Sequence, residues 1–210
     1  MSELEYILDK YNIKVGKEAE IDIQNVGRND LANLFSELGY TTGVEIGVKE
    51  GDYSEVLCQS NSKLHLYSID PWLLRADYTD GRGQGTFDNY EKVAREKLSK
   101  YDCEIMKMKS SEAVDQFADN SLDFVYIDGH HDFFNTTFDI FAWGKKVRSG
   151  GIISGHDFVP YKAKWRNAVF HVVTAWTQAH EIKPWFVMGL KNAPLGTIRD
   201  RHRSWFWVKE

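Results

Sequence analysis

The sequence predicts an α/β fold built on an open, doubly wound and mostly parallel sheet. Short apolar or β-branched runs alternate with amphipathic helical segments along most of the 210 residues. The run at 124–127 holds four consecutive apolar residues, as strands covered on both faces do. Glycines, carboxylates and histidines follow several of these runs, and the carboxyl ends of parallel strands are where ligands bind in such sheets.

The composition fits one soluble domain. A hydrophobic content of 42% over 210 residues is enough for a single core. The net charge of −5 gives no electrostatic footprint for nucleic acid, so we expect a small-molecule partner instead. The sequence has neither a basic and apolar leader nor a run of about eighteen apolar residues, which predicts a cytoplasmic protein without membrane contact. Cys58 and Cys103 form no C-x-x-C pair and are expected to be reduced thiols.

The amino-terminal part of the chain has the weakest pattern. Residues 1–27 predict only an arm or short helix over the substrate side, and 28–210 predict a single domain. A helix over 29–38 follows from its apolar face and from Gly39, which ends it.

The stretch 42–54 predicts a strand, a tight turn and a helix. Gly47 and Gly51 let the backbone turn sharply and let a ligand approach without meeting a Cβ atom. The third glycine of the dinucleotide-binding pattern is missing, so a pyrophosphate ligand is disfavoured. Carboxylates surround the turn: Glu45, Glu50 and Asp52. They favour a cationic ligand such as S-adenosylmethionine, although an ordinary strand-to-helix turn is the alternative.

The second strand, 64–69, ends at Asp70, twenty-five positions after Glu45. An acid at about this distance is placed to accept hydrogen bonds from the ribose hydroxyls of a nucleoside. The alternative is that Asp70 only forms a turn before the proline. Trp72 would pack either on an adenine or in the core. The glycine-rich stretch 75–85 predicts a mobile loop over the site or a plain surface loop.

A helix over 87–98 and a strand over 103–108 come next. Ser110 and Ser111 then open another helix beside Asp70, so Ser111 would either bond the adenine or only cap the helix.

Two strand ends carry the residues best suited to catalysis. The buried strand with the apolar run 124–127 is followed by Asp128, His130 and His131, and the strand over 150–157 ends on His156 and Asp157. We expect Asp128, His156 and Asp157 to converge and to suit a divalent cation, magnesium or manganese before iron. His131, with an ordinary pKa near 6.5, is the candidate to take a proton from a substrate hydroxyl.

The remaining chain predicts helices over 133–147 and 165–179 and an antiparallel pair of strands over 185–188 and 204–208 around a turn-rich 191–200. The tryptophans of this tail would serve either the core or a homodimer contact.

Four motifs in this order resemble those of the class I S-adenosylmethionine-dependent methyltransferases, in the branch related to catechol O-methyltransferase and the macrolide-sugar O-methyltransferases. They are V-E-I-G-V-K-E-G-D-Y-S at 44–54, S-I-D-P-W at 68–72, F-V-Y-I-D-G-H-H at 124–131 and G-G-I-I-S-G-H-D-F at 150–158. The resemblance runs from about residue 30 to 190. It implies a Rossmann-like sheet of seven strands with an antiparallel carboxyl-terminal strand, and S-adenosylmethionine as cofactor.

The resemblance also implies roles for single residues. By position, Glu45 and Gly47 hold the methionine end of the cofactor, Asp70 the ribose and Ser111 the adenine. The full set of cofactor-binding candidates is Glu45, Gly47, Gly51, Ser54, Asp70, Trp72, Ser111 and Asp128. Asp128, His156 and Asp157 match metal positions that are Asp, Asp and Asn in the catechol enzymes, and His131 replaces their hydroxyl-activating lysine. The histidine at a metal position implies a different ion or a site without metal.

The expected function is therefore O-methylation of a hydroxyl on a small polar molecule, such as a sugar or secondary metabolite, with His131 and Asp128 as catalytic residues and a divalent metal acidifying the acceptor. One alternative is an iron-dependent oxygenase on the same fold, as in cephalosporin hydroxylase-like proteins. The other is a non-catalytic nucleoside-binding module. We expect acceptor specificity to lie before residue 28 and in 73–86 and 159–170.

Overall fold

The computed structural model describes residues 1–74, 81–160, 167–189 and 202–210. These ranges hold seven α-helices and eight β-strands. In chain order they are α1 (Glu3–Lys10), β1 (Glu20–Ile23), α2 (Arg28–Glu37), β2 (Thr42–Ile46), α3 (Asp52–Ser60), β3 (His65–Ile69), α4 (Gln84–Leu98), β4 (Cys103–Met106), α5 (Ser110–Ala113), β5 (Leu122–Ile127), α6 (Phe133–Lys146), β6 (Val147–Gly155), α7 (Val169–Ala179), β7 (Trp185–Met188) and β8 (Ser204–Val208).

The strands form one sheet in the order β1-β7-β8-β6-β5-β2-β3-β4. All neighbouring pairs are parallel except those of β8, which runs antiparallel to β6 and β7. This confirms the α/β, mostly parallel sheet with an antiparallel carboxyl-terminal strand. The eighth strand is β1, which pairs with β7 at the edge. Its four residues are too few to show a strand pattern in the sequence. The strand is recognised only by its pairing with β7, which is distant in the chain.

The amino-terminal helix is present, but it does not lie over the substrate side. Glu3 Oε1 lies 3.1 Å from Arg148 Nη1, and Arg148 is at the amino end of β6. The predicted site is at the carboxyl end of the same strand. The expected position was therefore wrong for this helix, because an ion pair and the packed Ile7 hold α1 at the amino ends of the strands.

Helices cover both faces of the sheet. The sequence of β5 is continuously apolar over 124–127 because both faces of this strand are buried. Phe124 and Tyr126 face one core cluster with α2 and α3, while Val125 and Ile127 face the other with α6 and α7. Trp205 and Trp207 are 0% and 3% exposed. These two tail tryptophans are therefore core residues.

The strand order reverses at β2. Its neighbour on one side is β3, which follows it in the chain, and its neighbour on the other side is β5. Such a reversal opens a crevice at the carboxyl ends of the strands. Backbone hydrogen bonds tie these ends together, from Gly47 to Ile69 (2.9 Å) and from Asp128 to Ile46 (2.8 Å). Gly47 has φ +89°, and a Cβ atom there would lie 2.1 Å from the Asp128 carbonyl oxygen. Only glycine fits this turn, as the sequence predicted.

Both cysteines are unbridged, as expected. Within the described ranges, no helix is long and apolar enough to cross a bilayer.

Candidate active site

A cavity of about 870 Å³ opens at the carboxyl ends of β2, β3 and β5 and beside the first turn of α5. The predicted residues that line it are Gly47, Asp70, Trp72, Ser111, Asp128 and His131. Leu73, Leu74 and Arg82 line it as well, so the described part of the 73–86 loop borders the site as expected. Residues 75–80, 161–166 and 191–200, on which further expectations fall, lie outside the described residues.

Asp70 holds the glycine turn in place. Its Oδ2 accepts hydrogen bonds from the backbone amides of Val48 and Lys49 at 3.0 Å each, and its Oδ1 accepts one from Trp72 at 2.7 Å. Burial raises the pKa of Asp70, against the opposing effect of these three donors. A carboxylate offers about four acceptor positions, so about one remains for a ligand hydroxyl.

Trp72 has mainly a core role. Its side chain is 1% exposed and packs with Val48, Phe87 and Leu98. Its indole Nε1 donates to the Lys49 carbonyl at 2.8 Å, which fixes the turn from a second side. Of the two predicted alternatives, the structure therefore favours core packing, with one part of the ring in the cavity wall.

Three cofactor-binding candidates lie beneath the turn and do not line the cavity. Glu45 and Ser54 are 1% and 0% exposed and hydrogen-bond to each other, and Ser68 Oγ lies 2.9 Å from Ser54 Oγ. Gly51 faces α4, where an added Cβ atom would lie 3.2 Å from Leu98 Cδ1. They support the turn from below, outside the cavity wall in which the sequence placed them.

The carboxylates around the turn do not form the negative field that the sequence indicated. Burial raises the pKa of Glu45 to about 8, against the opposing hydrogen bond from Ser54, so this side chain is mostly neutral at pH 7. Glu50 pairs with Lys49 at 3.1 Å, and Asp52 pairs with Lys97. Burial and local ion pairs, which sequence spacing does not reveal, cancel the predicted attraction for a cation.

The strand ends of β5 and β6 bring carboxylates and imidazoles together. His131 Nε2 lies 3.3 Å from Asp128 Oδ1 and 3.2 Å from Asp157 Oδ2. One ligand atom of each of these three residues lies within 4.8 Å of the others. Asp128 and Asp157 lie close together, and His131 forms the tightest set with them. His156 also approaches both carboxylates, with Nδ1 3.7 Å from Asp128 Oδ2 and 3.5 Å from Asp157 Oδ2.

Histidines surround Asp157 and determine its ionisation. Its Oδ1 lies 2.7 Å from His202 Nδ1, and its backbone adopts φ +58°, a conformation that aspartate tolerates better than most residues. Burial would raise its pKa, but the hydrogen bond with His156 and the charges of His131, His156 and His202 outweigh burial and hold the pKa well below its ordinary value. Asp157 therefore keeps its negative charge beside His131 and Asp128, which line the cavity, although Asp157 is not among the lining residues itself.

His131 is shifted in the opposite direction. Burial favours its neutral form, yet the hydrogen bond to Asp128 and the charges of Asp157 and Asp128 outweigh burial and raise its pKa. Its imidazole is thus a better proton acceptor than a free one.

Several site residues were missed in the sequence. Arg28, at the start of α2, places Nη1 3.7 Å from Asp128 Oδ2 and its guanidinium 5.2 Å from the Tyr53 ring centroid. His202 contacts Asp157 from the far end of the chain. Asp139 in α6 lines the cavity although it is 4% exposed. None belongs to a motif, and only the tertiary fold brings them to the site.

Comparisons with known proteins agree with this geometry. A family model described as a methyltransferase domain matches residues 44–158, more than half of the chain. No curated protein matches the sequence significantly. Among solved structures, an O-methyltransferase from Bacillus cereus in complex with SAH is 14% identical with a TM-score of 0.59, over 99% of this chain and 90% of that one.

Two further structures have similar folds. The O-methyltransferase TomG from Streptomyces achromogenes, involved in tomaymycin synthesis and solved with SAM, is 13% identical with a TM-score of 0.58, covering 97% of this chain and 86% of that one. Spermidine synthase from Thermotoga maritima is 14% identical with a TM-score of 0.57, covering 87% and 60%. These likenesses concern the fold, and the family model identifies the domain. The chain belongs to the methyltransferase domain family.

Proposed function

We propose that the protein is an S-adenosylmethionine-dependent O-methyltransferase that acts on a hydroxyl of a small polar molecule, such as a sugar or secondary metabolite. The observation that carries the proposal is one cavity lined both by Asp70, an acid at one strand end, and by Asp128 and His131, which belong to the cluster with Asp157. Family membership supports methyl transfer, and solved O-methyltransferases of the same fold with SAM or SAH support this cofactor.

The chain's own residues suit a nucleoside cofactor. The carboxylate of Asp70 is held rigidly by three backbone amides and keeps about one acceptor position for a ribose hydroxyl. Gly47 presents no side chain to the ligand, and Ser111 stands in the wall beside Asp70. The reacting sulfonium would then lie towards the β5 and β6 ends, where Asp128 and Asp157 carry negative charge.

The donor set also fits a divalent cation. Asp128, His131 and Asp157 would hold it, since two carboxylates and one imidazole approach each other closely enough to share an ion. This oxygen-rich set favours magnesium or manganese over iron. When bound, the metal would position the acceptor hydroxyl and lower its pKa. His202, 2.7 Å from Asp157, would orient that carboxylate.

Without a metal, His131 has a second role. Its pKa is raised by its two carboxylate neighbours, and it would receive the hydroxyl proton as the methyl group arrives. The two roles exclude each other, because Nε2 is the atom that faces both carboxylates. Metal dependence therefore decides between them.

The first test is a calorimetric titration of chelator-treated protein with S-adenosylhomocysteine, repeated after adding magnesium, manganese or ferrous iron. We expect binding in the micromolar range, which is common for enzyme ligands. Heat on adding metal to wild type, lost in Asp157→Asn, would support the ligand role of the cluster. Absence of nucleoside binding under every condition would remove the proposed cofactor.

The second test measures transfer of a labelled methyl group to a panel of hydroxyl compounds. His131→Ala should lower turnover at least about 100-fold, the usual contribution of a positioned proton acceptor, while S-adenosylhomocysteine binds almost as in wild type. His65→Asn, at the opposite end of the sheet, is the matched control and should leave turnover unchanged. Loss of cofactor binding in His131→Ala would instead indicate a structural role.

The two rival functions make different predictions. Non-haem iron oxygenases commonly use two histidines and one carboxylate, and His156 lies near enough to Asp128 and Asp157 to supply a second histidine beside His131. Iron-dependent oxygen consumption would favour the oxygenase. A non-catalytic nucleoside-binding module would bind S-adenosylhomocysteine and transfer no methyl group to any acceptor in the panel.

A further inference from the structure

One buried acid in the cavity wall has no part in the proton transfer or in the metal cluster. Asp139 lies in the second turn of α6, is 4% exposed and lines the same cavity as Asp70 and Ser111. A carboxylate withdrawn from water needs hydrogen-bond donors to offset its lost hydration. The groups that donate hydrogen bonds to Asp139 therefore indicate which kind of ligand this part of the cavity wall binds.

A hydrogen-bond chain occupies one of its two oxygens. The Trp143 indole Nε1 donates to Ser110 Oγ at 2.7 Å, and the Ser110 hydroxyl donates in turn to Asp139 Oδ1. Ser110 has one hydroxyl proton, so this chain has a fixed direction and holds the carboxyl group in one orientation. Ser110 opens α5, and both Trp143 and Asp139 lie in α6, so the chain of hydrogen bonds ties the two helices together at Asp139.

The other oxygen, Oδ2, lies towards Gly129 in the cavity wall, 4.0 Å from where a Cβ of that glycine would be. Across the described ranges, no side chain or backbone amide donates a hydrogen bond to it. Burial raises the pKa of Asp139 to about 6, against the single hydrogen bond from Ser110, so the group is largely ionised at pH 7 and needs a further donor. Ile46, Ile69 and Phe138 give this part of the cavity apolar walls that suit a flat ring.

We propose that Asp139 Oδ2 accepts a hydrogen bond from the exocyclic amino group of the cofactor's purine base, and that this contact selects a 6-amino purine over a 6-oxo purine. The proposal rests on the proposed function, since it assumes a nucleoside whose ribose lies at Asp70. Asp139 and Ser111 line the same cavity as Asp70, between α5 and α6, and would hold the base there. A carbonyl oxygen at the same position of the base would face the carboxylate oxygen. Both atoms are acceptors, so no hydrogen bond would form between them.

The test compares S-adenosylhomocysteine with its deaminated analogue S-inosylhomocysteine by calorimetry. Wild type should bind the amino form about 10- to 100-fold more tightly, the range expected for one hydrogen bond to a charged group. Asp139→Asn keeps an acceptor for Ser110 and presents an amide donor to the cavity, so it should reduce the preference to about threefold or less. Asp115→Asn, an exposed aspartate on the turn after α5, is the control and should keep the wild-type preference.

The outcomes separate this inference from the proposed function. Equal binding of both nucleosides by wild type, or an unchanged preference in Asp139→Asn, would overturn the role of Asp139 while leaving the cofactor in place. Binding of neither nucleoside would overturn the proposed function and this inference with it. The wild-type comparison needs no variant, so the inference stays open to refutation even if Asp139→Asn fails to fold.

Discussion

Glu45 makes the stability of the protein depend on pH in a direction that is unusual for a carboxylate. Its side chain is 1% exposed beneath the glycine turn, and burial raises its pKa from 4.5 to about 8. Below pH 4.5 both the folded and the unfolded chain hold the proton. As the pH rises towards 8, the unfolded chain releases the proton while the folded chain retains it, so the free energy of unfolding falls.

The size of the effect follows from the two pKa values. At about 1.4 kcal/mol for each pH unit, the interval from 4.5 to about 8 corresponds to about 5 kcal/mol. Glu45→Gln retains the shape and an acceptor for Ser54 but cannot ionise. The difference in unfolding free energy between wild type and Glu45→Gln should therefore move by about 1.4 kcal/mol per pH unit, in favour of the variant, between pH 5 and pH 8.

Urea unfolding followed by tryptophan fluorescence, at half-unit steps of pH, measures this difference, and other titrating groups cancel between the two proteins. The control is Glu104→Gln, at an exposed position of β4. Its unfolding free energy should change with pH in parallel with that of wild type. Parallel curves for wild type and Glu45→Gln would refute the reasoning, since they would mean that Glu45 ionises in the folded protein as it does in the unfolded chain.

Two further substitutions test the turn itself. Gly47→Ala should lower the unfolding free energy by about 2–4 kcal/mol, because its Cβ would meet the Asp128 carbonyl at a positive φ, whereas Gly83→Ala, with open space around it, should change little in thermal denaturation. Asp70→Asn should weaken S-adenosylhomocysteine binding about tenfold or more in calorimetry, because an amide cannot replace all the acceptor positions that order the turn; wild-type affinity would contradict this role.

The sequence alone determined the fold class and the edge of the sheet that carries the site. Local patterns suffice for this, since an apolar run such as 124–127 needs cover on both faces and a glycine pair such as Gly47 and Gly51 needs a sharp turn. Because parallel strands end at one edge, residues directly after two neighbouring strands meet, and Asp128 and Asp157 do so.

The tertiary structure decided which side chains form the site and in what charge state. His131 joins Asp128 and Asp157, Asp139 lines the cavity, and Arg28 and His202 contact the two strand-end carboxylates from elements without any motif. Likewise, the Glu45 carboxyl group becomes a mostly neutral buried support. Side-chain direction, burial and the pairing of distant segments set these properties, and they depend on contacts between residues far apart in the chain, whereas strand and turn patterns depend on near neighbours.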